Sequence, residues 1–270
     1  MNNLVKSIKT MSESFFEEIK TYRRHLHEHP ELSFKEYQTA DFIESKLREM
    51  GIENVQRIVK TGVTFLLEGS GEGKNIALRA DIDALPIFEK TEVEYKSKYD
   101  GIMHACGHDV HTSCLLGVAK ILYQLKSEFK GSVKFIFQPG EEKAPGGASL
   151  LIKEGILEGP IPKTILGQHV MPFIEVGKVG FRPGKYMASS DEIYLTIEGK
   201  GGHAAMPEKL VDPVIITSHI LIALQQIVSR KASPKMPSVL SFGDISSKAT
   251  TNVIPDFVNV AGTFRTFDET

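Results

Sequence analysis

The sequence predicts an α/β fold, with a mostly parallel central sheet covered by helices and then a smaller α+β layer. Three observations predict it. Short β-like runs alternate with helical periodicities through the first part of the chain, the pattern of a largely parallel sheet. Four clusters of reactive polar residues each directly follow a predicted strand. Around residues 177–190 the texture changes, and the order beyond becomes strand, helix, strand, strand. A boundary near Gly184 is expected, giving domains 1–184 and 185–270.

The elements follow in order. Phe15, Phe16, Ile19, Tyr22 and Leu26 recur at helical spacing within Ser12–His29, and Pro30 ends the run. A second helix is expected over Lys35–Met50, with Phe42, Ile43 and Leu47 on one face and Gly51 as its stop. Gly62–Leu67 and Asn75–Ala80 read as strands separated by the turn GSGEG. A helix over about Asp109–Leu125 precedes a strand at Val133–Phe137, a short helix at Ala148–Glu154 and a strand at Thr164–His169. In the second layer, Asp191–Glu198 alternates like a half-exposed strand. Asp212–Ser229 is an amphipathic helix with Asp212 as N-cap and Pro213 at its first position. Ser238–Phe242 and Phe257–Phe264 read as the last strands.

Composition excludes several classes. The 270 residues are 41% hydrophobic and 24% charged, an ordinary globular balance. With 32 basic and 34 acidic side chains, nothing pulls the chain toward nucleic acid or anionic lipid. The longest apolar runs fall far short of the ~20 residues a bilayer needs, so no membrane partner is expected. The opening MNNLVKSIKTMSES has no apolar core, so no signal peptide is expected. Two cysteines cannot form a disulfide framework, and a cytoplasmic location is the default. GSGEGKN lacks the spacing of a phosphate loop, and no G-x-S-x-G elbow exists. His25, His27 and His29 alternate on a helix and so face opposite ways, which makes them a helix end rather than a metal tract.

The reactive clusters are Asp81 and Asp83 after NIALRA, then Cys106, His108 and Asp109 before the third long helix. Glu141 and Glu142 follow VKFIF across a Pro139–Gly140 turn, and His169 ends its strand. Ligands of open α/β sheets lie outside the carboxyl ends of the strands, so the four clusters converge on one crevice. Cysteine, histidine and carboxylate together suit a borderline metal such as zinc or manganese. Each alone has an ordinary reading: a buried small thiol, a turn cap at Asp83, a solvated Glu pair, a strand histidine. Their combination favours the metal.

The ordered motifs LRADIDALP (78–86), MHACGHDVH (103–111), QPGEE (138–142), GQHV (167–170), GKGGHAAMP (199–207), TNVIP (251–255) and GTFR (262–265) carry a resemblance. They resemble the aminoacylase/carboxypeptidase family of dinuclear metallohydrolases, in its N-acyl-amino-acid amidohydrolase branch. That branch includes hippurate hydrolases, auxin-conjugate hydrolases and N-acetyldiaminopimelate deacetylases. The resemblance implies a zinc-exopeptidase-like catalytic domain with an inserted ferredoxin-like lid that mediates homodimerisation. It implies two divalent metal ions per subunit (zinc, manganese or cobalt), with Cys106 bridging and His108, Glu142 and His169 as further ligands. Glu141 would be the general base toward water and Asp83 would orient the ligand shell. His203 would reach the partner's site as an oxyanion stabiliser, while Asn252 and Arg265 would bind substrate, with Arg265 suited to a carboxylate.

The sequence departs from the family pattern twice. Glu208–Lys209 stands where relatives often carry histidine. The family also supplies a last metal-ligand histidine after the lid, and no residue matches it, since His219 lies inside the lid helix. The chain is therefore expected to be C-terminally incomplete. The expected activity is metal-dependent hydrolysis of the amide bond of an N-acyl amino acid. A dipeptidase or carboxypeptidase on the same scaffold, or a non-catalytic metal-binding and dimerising fragment, are the alternatives.

Overall fold

The computed structural model describes residues 2–268, which fall into two compact units that divide between Phe173 and Ile174. In the first unit the predicted opening helix is two helices, α1 (Asn2–Ser14) and α2 (Phe16–Glu28), with a break at Phe15. α2 stops before Pro30, as the sequence predicts. Helix α3 (Tyr37–Glu49) ends at Met50, and Gly51 follows at φ +90°, a conformation natural to glycine. Strands β1 (Gln56–Ile58), β2 (Gly62–Glu68) and β3 (Asn75–Asp81), helix α4 (His108–Gln124), strand β4 (Ser132–Gln138), helix α5 (Gly147–Lys153) and strand β5 (Ile165–Gly167) complete the unit.

The sheet order is β1-β2-β4-β3-β5. β3 pairs in parallel with both β4 and β5, which is the expected parallel core. β1 and β2 join antiparallel, so the sheet is mixed. The GSGEG turn thus does not make a hairpin, because β4 inserts between β2 and β3.

β4 is buried along its whole length and shows how both faces are covered. Val133, Phe135 and Phe137 point into the core with Leu47, Ile43 and Leu116 from α3 and α4, whereas Ile136 packs with Leu151 of α5 on the other face. Phe65 and Phe135 are register partners and stack with centroids 4.5 Å apart. Lys134 is buried but donates to the carbonyls of Ile156 (2.8 Å) and Glu158 (2.6 Å), so its charge is not orphaned.

The second unit contains β6 (Asp191–Glu198), β7 (Gly202–His203), α6 (Pro213–Gln226), β8 (Ser238–Ser246), β9 (Val253–Ile254) and β10 (Phe257–Thr266). Its main sheet, β6-β10-β8, is antiparallel throughout, the order of the first three strands of a ferredoxin-like fold. Asp212 caps α6 by accepting from Val214 N (2.8 Å) and Ile215 N (3.3 Å). Ile220 and Leu221 of α6 pack on Ile197, Val258 and Val260 of the sheet. The run Pro213–Lys231 is, at 19 residues, the described helix that is long and apolar enough by length and composition to cross a bilayer. In this fold it forms the helical layer over the sheet.

Candidate metal centre

The first unit builds its polar centre from the ends of β3, β4 and β5 and the start of α4. Thr112 donates to the carbonyl of Asp81 at 2.8 Å, pinning α4 to the end of β3. Gly107 holds φ +88° immediately before α4, so Cys106 and His108 leave the backbone on either side of a left-handed residue. β4 ends at Gln138, and the Pro139–Gly140 turn delivers an exposed Glu141 and a half-buried Glu142. His169 lies two residues beyond β5, which is shorter than predicted, and is exposed.

His108 is the common member of three groups: with Cys106 and His169, with Glu141 and Glu142, and with Asp81 and His111. Within each group, candidate ligand atoms lie within 4.8 Å of one another. Cys106 Sγ stands 3.2 Å from His169 Nε2. The structure therefore gathers Asp83 and every metal-ligand candidate of the first unit, with Glu141, around one imidazole.

Asp83 is the electrostatic hub. Its carboxylate accepts from Ser33 Oγ (2.7 Å), the backbone N–H of Glu142 (3.0 Å) and His108 Nδ1 (3.2 Å). Burial opposes its ionisation, but these donors outweigh burial and hold its pKa below the ordinary value. Burial likewise pulls His108 down, yet its hydrogen bond to Asp83, the nearby Cys106 thiol and the charges of Asp81 and Asp83 raise it to about 11. Burial pushes Asp81 up to about 6, against the pull of Arg79 and His108. Burial and the neighbouring His169 and His108 lower His111 to about 3.

These side chains fit a metal. Among the described residues, His108 Nε2 and Glu142 Oε1 are buried and have no hydrogen-bond partner. A histidine with Nδ1 fixed on a carboxylate and Nε2 bare is the arrangement of a metal-ligating imidazole. An unpaired buried polar atom is costly, so both atoms call for a ligand.

Several supporting residues escaped the sequence reading. His27, on α2, lies between Asp109 (2.8 Å) and Glu89 (3.1 Å), which raise its pKa against burial. It points away from His25 and His29, whose rings are neighbours at 4.6 Å, as the i, i+2 reasoning predicts. Glu36, fully buried, accepts from the N–H of Gly140 (2.8 Å) and from Thr61 Oγ1 (2.7 Å). The helical i, i+3 spacing of His108 and His111 was the available signal for His111. Nothing in the sequence marked Ser33 or Glu36.

In the second unit, His203 on β7 pairs in register with Val253 on β9, which brings Asn252 beside it. The carbonyl of Asn252 accepts from Ala204 N at 3.0 Å. His203 Nδ1 accepts from Ala205 N at 3.1 Å, and the residue is exposed. Arg265 lies apart from this pair, on β10 opposite Val239, and is exposed.

A mixed α/β sheet whose strand ends, with the start of α4, gather thiol, imidazole and carboxylate around a bare buried nitrogen defines a candidate metal centre of an α/β protein. The chain belongs to peptidase family M20/M25/M40, whose model matches residues 77–261. It is 49% identical over 246 residues to an N-acetyl-L-cysteine deacetylase of Bacillus subtilis, covering 91% of this chain and 58% of that protein. It is 43% identical over 265 residues to an N-acyl-L-amino acid amidohydrolase of Geobacillus stearothermophilus, covering 98% and 71%. Among solved structures, a dinuclear metal-binding M20 peptidase of Bacillus subtilis superposes with TM-score 0.74 at 40% identity, covering 95% and 66%. The chain thus spans between 58% and 71% of these relatives' lengths.

Proposed function

We propose that this chain carries the metal-binding and proton-handling centre of an amidohydrolase that splits N-acyl amino acids into a carboxylate and a free amino acid. The observation that carries the reading is His108: Nδ1 held by Asp83, Nε2 buried and bare, between the Cys106–His169 pair and the Glu141–Glu142 pair. Relatives at 43% and 49% identity are described as acting on N-acyl amino acids and N-acetylcysteine.

In this reading Cys106, His108, Glu142 and His169 hold two divalent ions, and a thiolate, imidazole and carboxylate set suits zinc, manganese or cobalt. When bound, the ions supply Lewis acidity toward the amide carbonyl and toward water. Glu141 is exposed beside His108 and takes the proton of the attacking water, then returns it to the leaving amine. Asp83 fixes the tautomer of His108 so that Nε2 faces the ions.

The second unit, with residues 185–270 as the lid, serves substrate and partner. His203 accepts at Nδ1, so its neutral ring carries a proton at Nε2 and is a donor suited to an oxyanion. Asn252 and Arg265 bind the substrate, Arg265 its carboxylate. Homodimerisation runs through this unit, where α6 exposes Val214, Ile215 and Ile222. A reducing cytoplasm would keep Cys106 a free thiol, as the ligand role needs.

The test is amine release from N-acetyl, N-benzoyl and dipeptide substrates with added zinc, manganese or cobalt, with Glu141→Gln as the blank. Turnover by the native sequence, with Glu141→Gln silent at equal metal content, is expected. A Glu141→Gln protein that turns over, or that loses its metal, would overturn the assignment.

A further inference from the structure

His169 sits at the most weakly held part of the centre. β5 contributes three residues, pairs with β3 alone and is exposed, and His169 lies beyond its end. Yet its Nε2 reaches Cys106 Sγ at 3.2 Å. Something other than the sheet must fix it.

The next residue supplies the anchor. Val170 N donates to His111 Nε2 at 3.0 Å, and His111 is only 1% exposed. The Val170 carbonyl accepts from His169 Nδ1 at 2.7 Å. The Val170 side chain lies over Gly107, where a Cβ would come within 2.4 Å of its Cγ2. Gly107 is the residue between Cys106 and His108. The His111 ring meets the His169 ring edge-on, with centroids 4.4 Å apart.

We propose that His111 is a positioning residue that, with Gly107, seats Val170 and thereby presents His169 Nε2 to the site of Cys106. The relay runs through one residue. His111 Nε2, as acceptor, holds the Val170 N–H. The Val170 carbonyl, so fixed, takes the proton of His169 Nδ1, and His169 Nε2 is left bare toward Cys106. His111 itself need not touch a metal. The inference rests on the metal reading above for its consequence, but the seat can be tested without metal.

Three variants separate the roles. His111→Phe keeps a ring of similar size and removes the acceptor, His111→Gln places a carbonyl oxygen near the lost Nε2, and His111→Asn is too short to reach Val170. The first measurement is the ¹⁵N spectrum of histidine-labelled, metal-free chain, with His169→Ala assigning the signal. Native protein and His111→Gln should show His169 in the single Nδ1–H tautomer, whereas His111→Phe should show both tautomers. The second is cobalt titration, read by the thiolate-to-cobalt absorption that Cys106→Ser should abolish. His111→Phe should weaken cobalt binding about tenfold to a hundredfold, as loss of an outer partner does, and His111→Gln should restore most of it. If His111→Phe does not fold, His111→Asn takes its place against His111→Gln.

A single His169 tautomer in His111→Phe, or native cobalt affinity there, would overturn the seat. A general packing role predicts equal losses in Phe and Gln variants and is overturned by selective rescue. Cobalt binding that Cys106→Ser leaves intact would instead fault the metal reading, with the tautomer spectrum still deciding the seat.

Discussion

The first unit buries the support of its functional set as the second does not, although its Glu141 and His169 are exposed and its Cys106 and Glu142 half-buried. In the first, Asp83, His108, Asp81 and His111 are all buried, and the hydrogen bonds of Asp83 and His108 run to each other and to neighbouring backbone. In the second, His203, Asn252 and Arg265 are exposed, and the first two stand on strands of two residues or beside them. The buried set is preorganised: Asp83 is held by fixed donors and orients His108, so a ligand finds the bare Nε2 in place. The exposed set is cheap to hold and free to meet something arriving from outside. A centre that must bind cations tightly needs the first arrangement, and a group that must engage a substrate transiently suits the second.

The strongest way to break that comparison is Asp83→Ala. The change leaves Glu142 N and Ser33 Oγ without their acceptor and removes the carboxylate from His108 Nδ1, which keeps the Asp83 backbone carbonyl at 2.9 Å. Breaking a buried charged network of this kind costs about 3–5 kcal/mol. Urea unfolding should show that loss, and Asp83→Asn, which keeps an acceptor oxygen, should lose less. A loss under about 1 kcal/mol for the alanine variant would mean that the buried set is not braced through Asp83.

Glu36 sharpens the same contrast through pH. Burial raises its pKa above the ordinary glutamate value, although Thr61 and the N–H groups of Phe34, Gly140 and Glu36 itself pull against it. The folded state therefore holds this proton to higher pH than the unfolded chain does. Below the ordinary glutamate pKa both states are protonated and nothing is lost. As pH rises from there through the raised value, stability falls, and above it the loss is complete. Glu36→Gln removes the titration while its amide can still accept from Gly140 and donate to Thr61 Oγ1. Asp81, with its pKa raised to about 6, acts on both proteins alike, so the stability of the variant relative to the native protein should rise from mildly acidic to neutral pH. Parallel curves in a pH series of urea unfolding would show that Glu36 ionises freely in the fold.

The two cases also mark where the sequence was legible. Strand and helix periodicity placed β3, α4 and β4; reactive residues just beyond strand ends located Asp83, Glu141 and Glu142, whereas Cys106 and His108 follow not the strand that the sequence predicts but a loop that leads into α4. These signals are local, so a linear reading finds them. The brace is not local. Ser33 and Glu36 lie in the turn after Pro30, yet they hold Asp83, fifty residues on, and Gly140, more than a hundred residues on. No periodicity encodes such a contact. The same limit hid the insertion of β4 between β2 and β3, because pairing order depends on which apolar faces meet in three dimensions. His111 stood between these cases, since its helical spacing from His108 was visible but its acceptor role toward Val170 was not.

The smallest effect is expected at His203, and it bears on the other half of the comparison. Its ring is exposed, and the ring's bond among the described residues, from Ala205 N to Nδ1, is a local turn contact. Substitutions at such surface positions usually change stability by no more than about 0.5 kcal/mol. His203→Ala should therefore leave the urea midpoint and the bound cobalt essentially native. If the residue serves as an oxyanion donor, the same variant should lower turnover while KM changes little, because a donor that acts mainly on developing charge contributes to the transition state rather than to substrate binding. A fall in stability comparable to that of Asp83→Ala would show instead that the second unit depends on this side chain for its own folding. The division between a preorganised centre and an exposed, transiently engaged one would then fail.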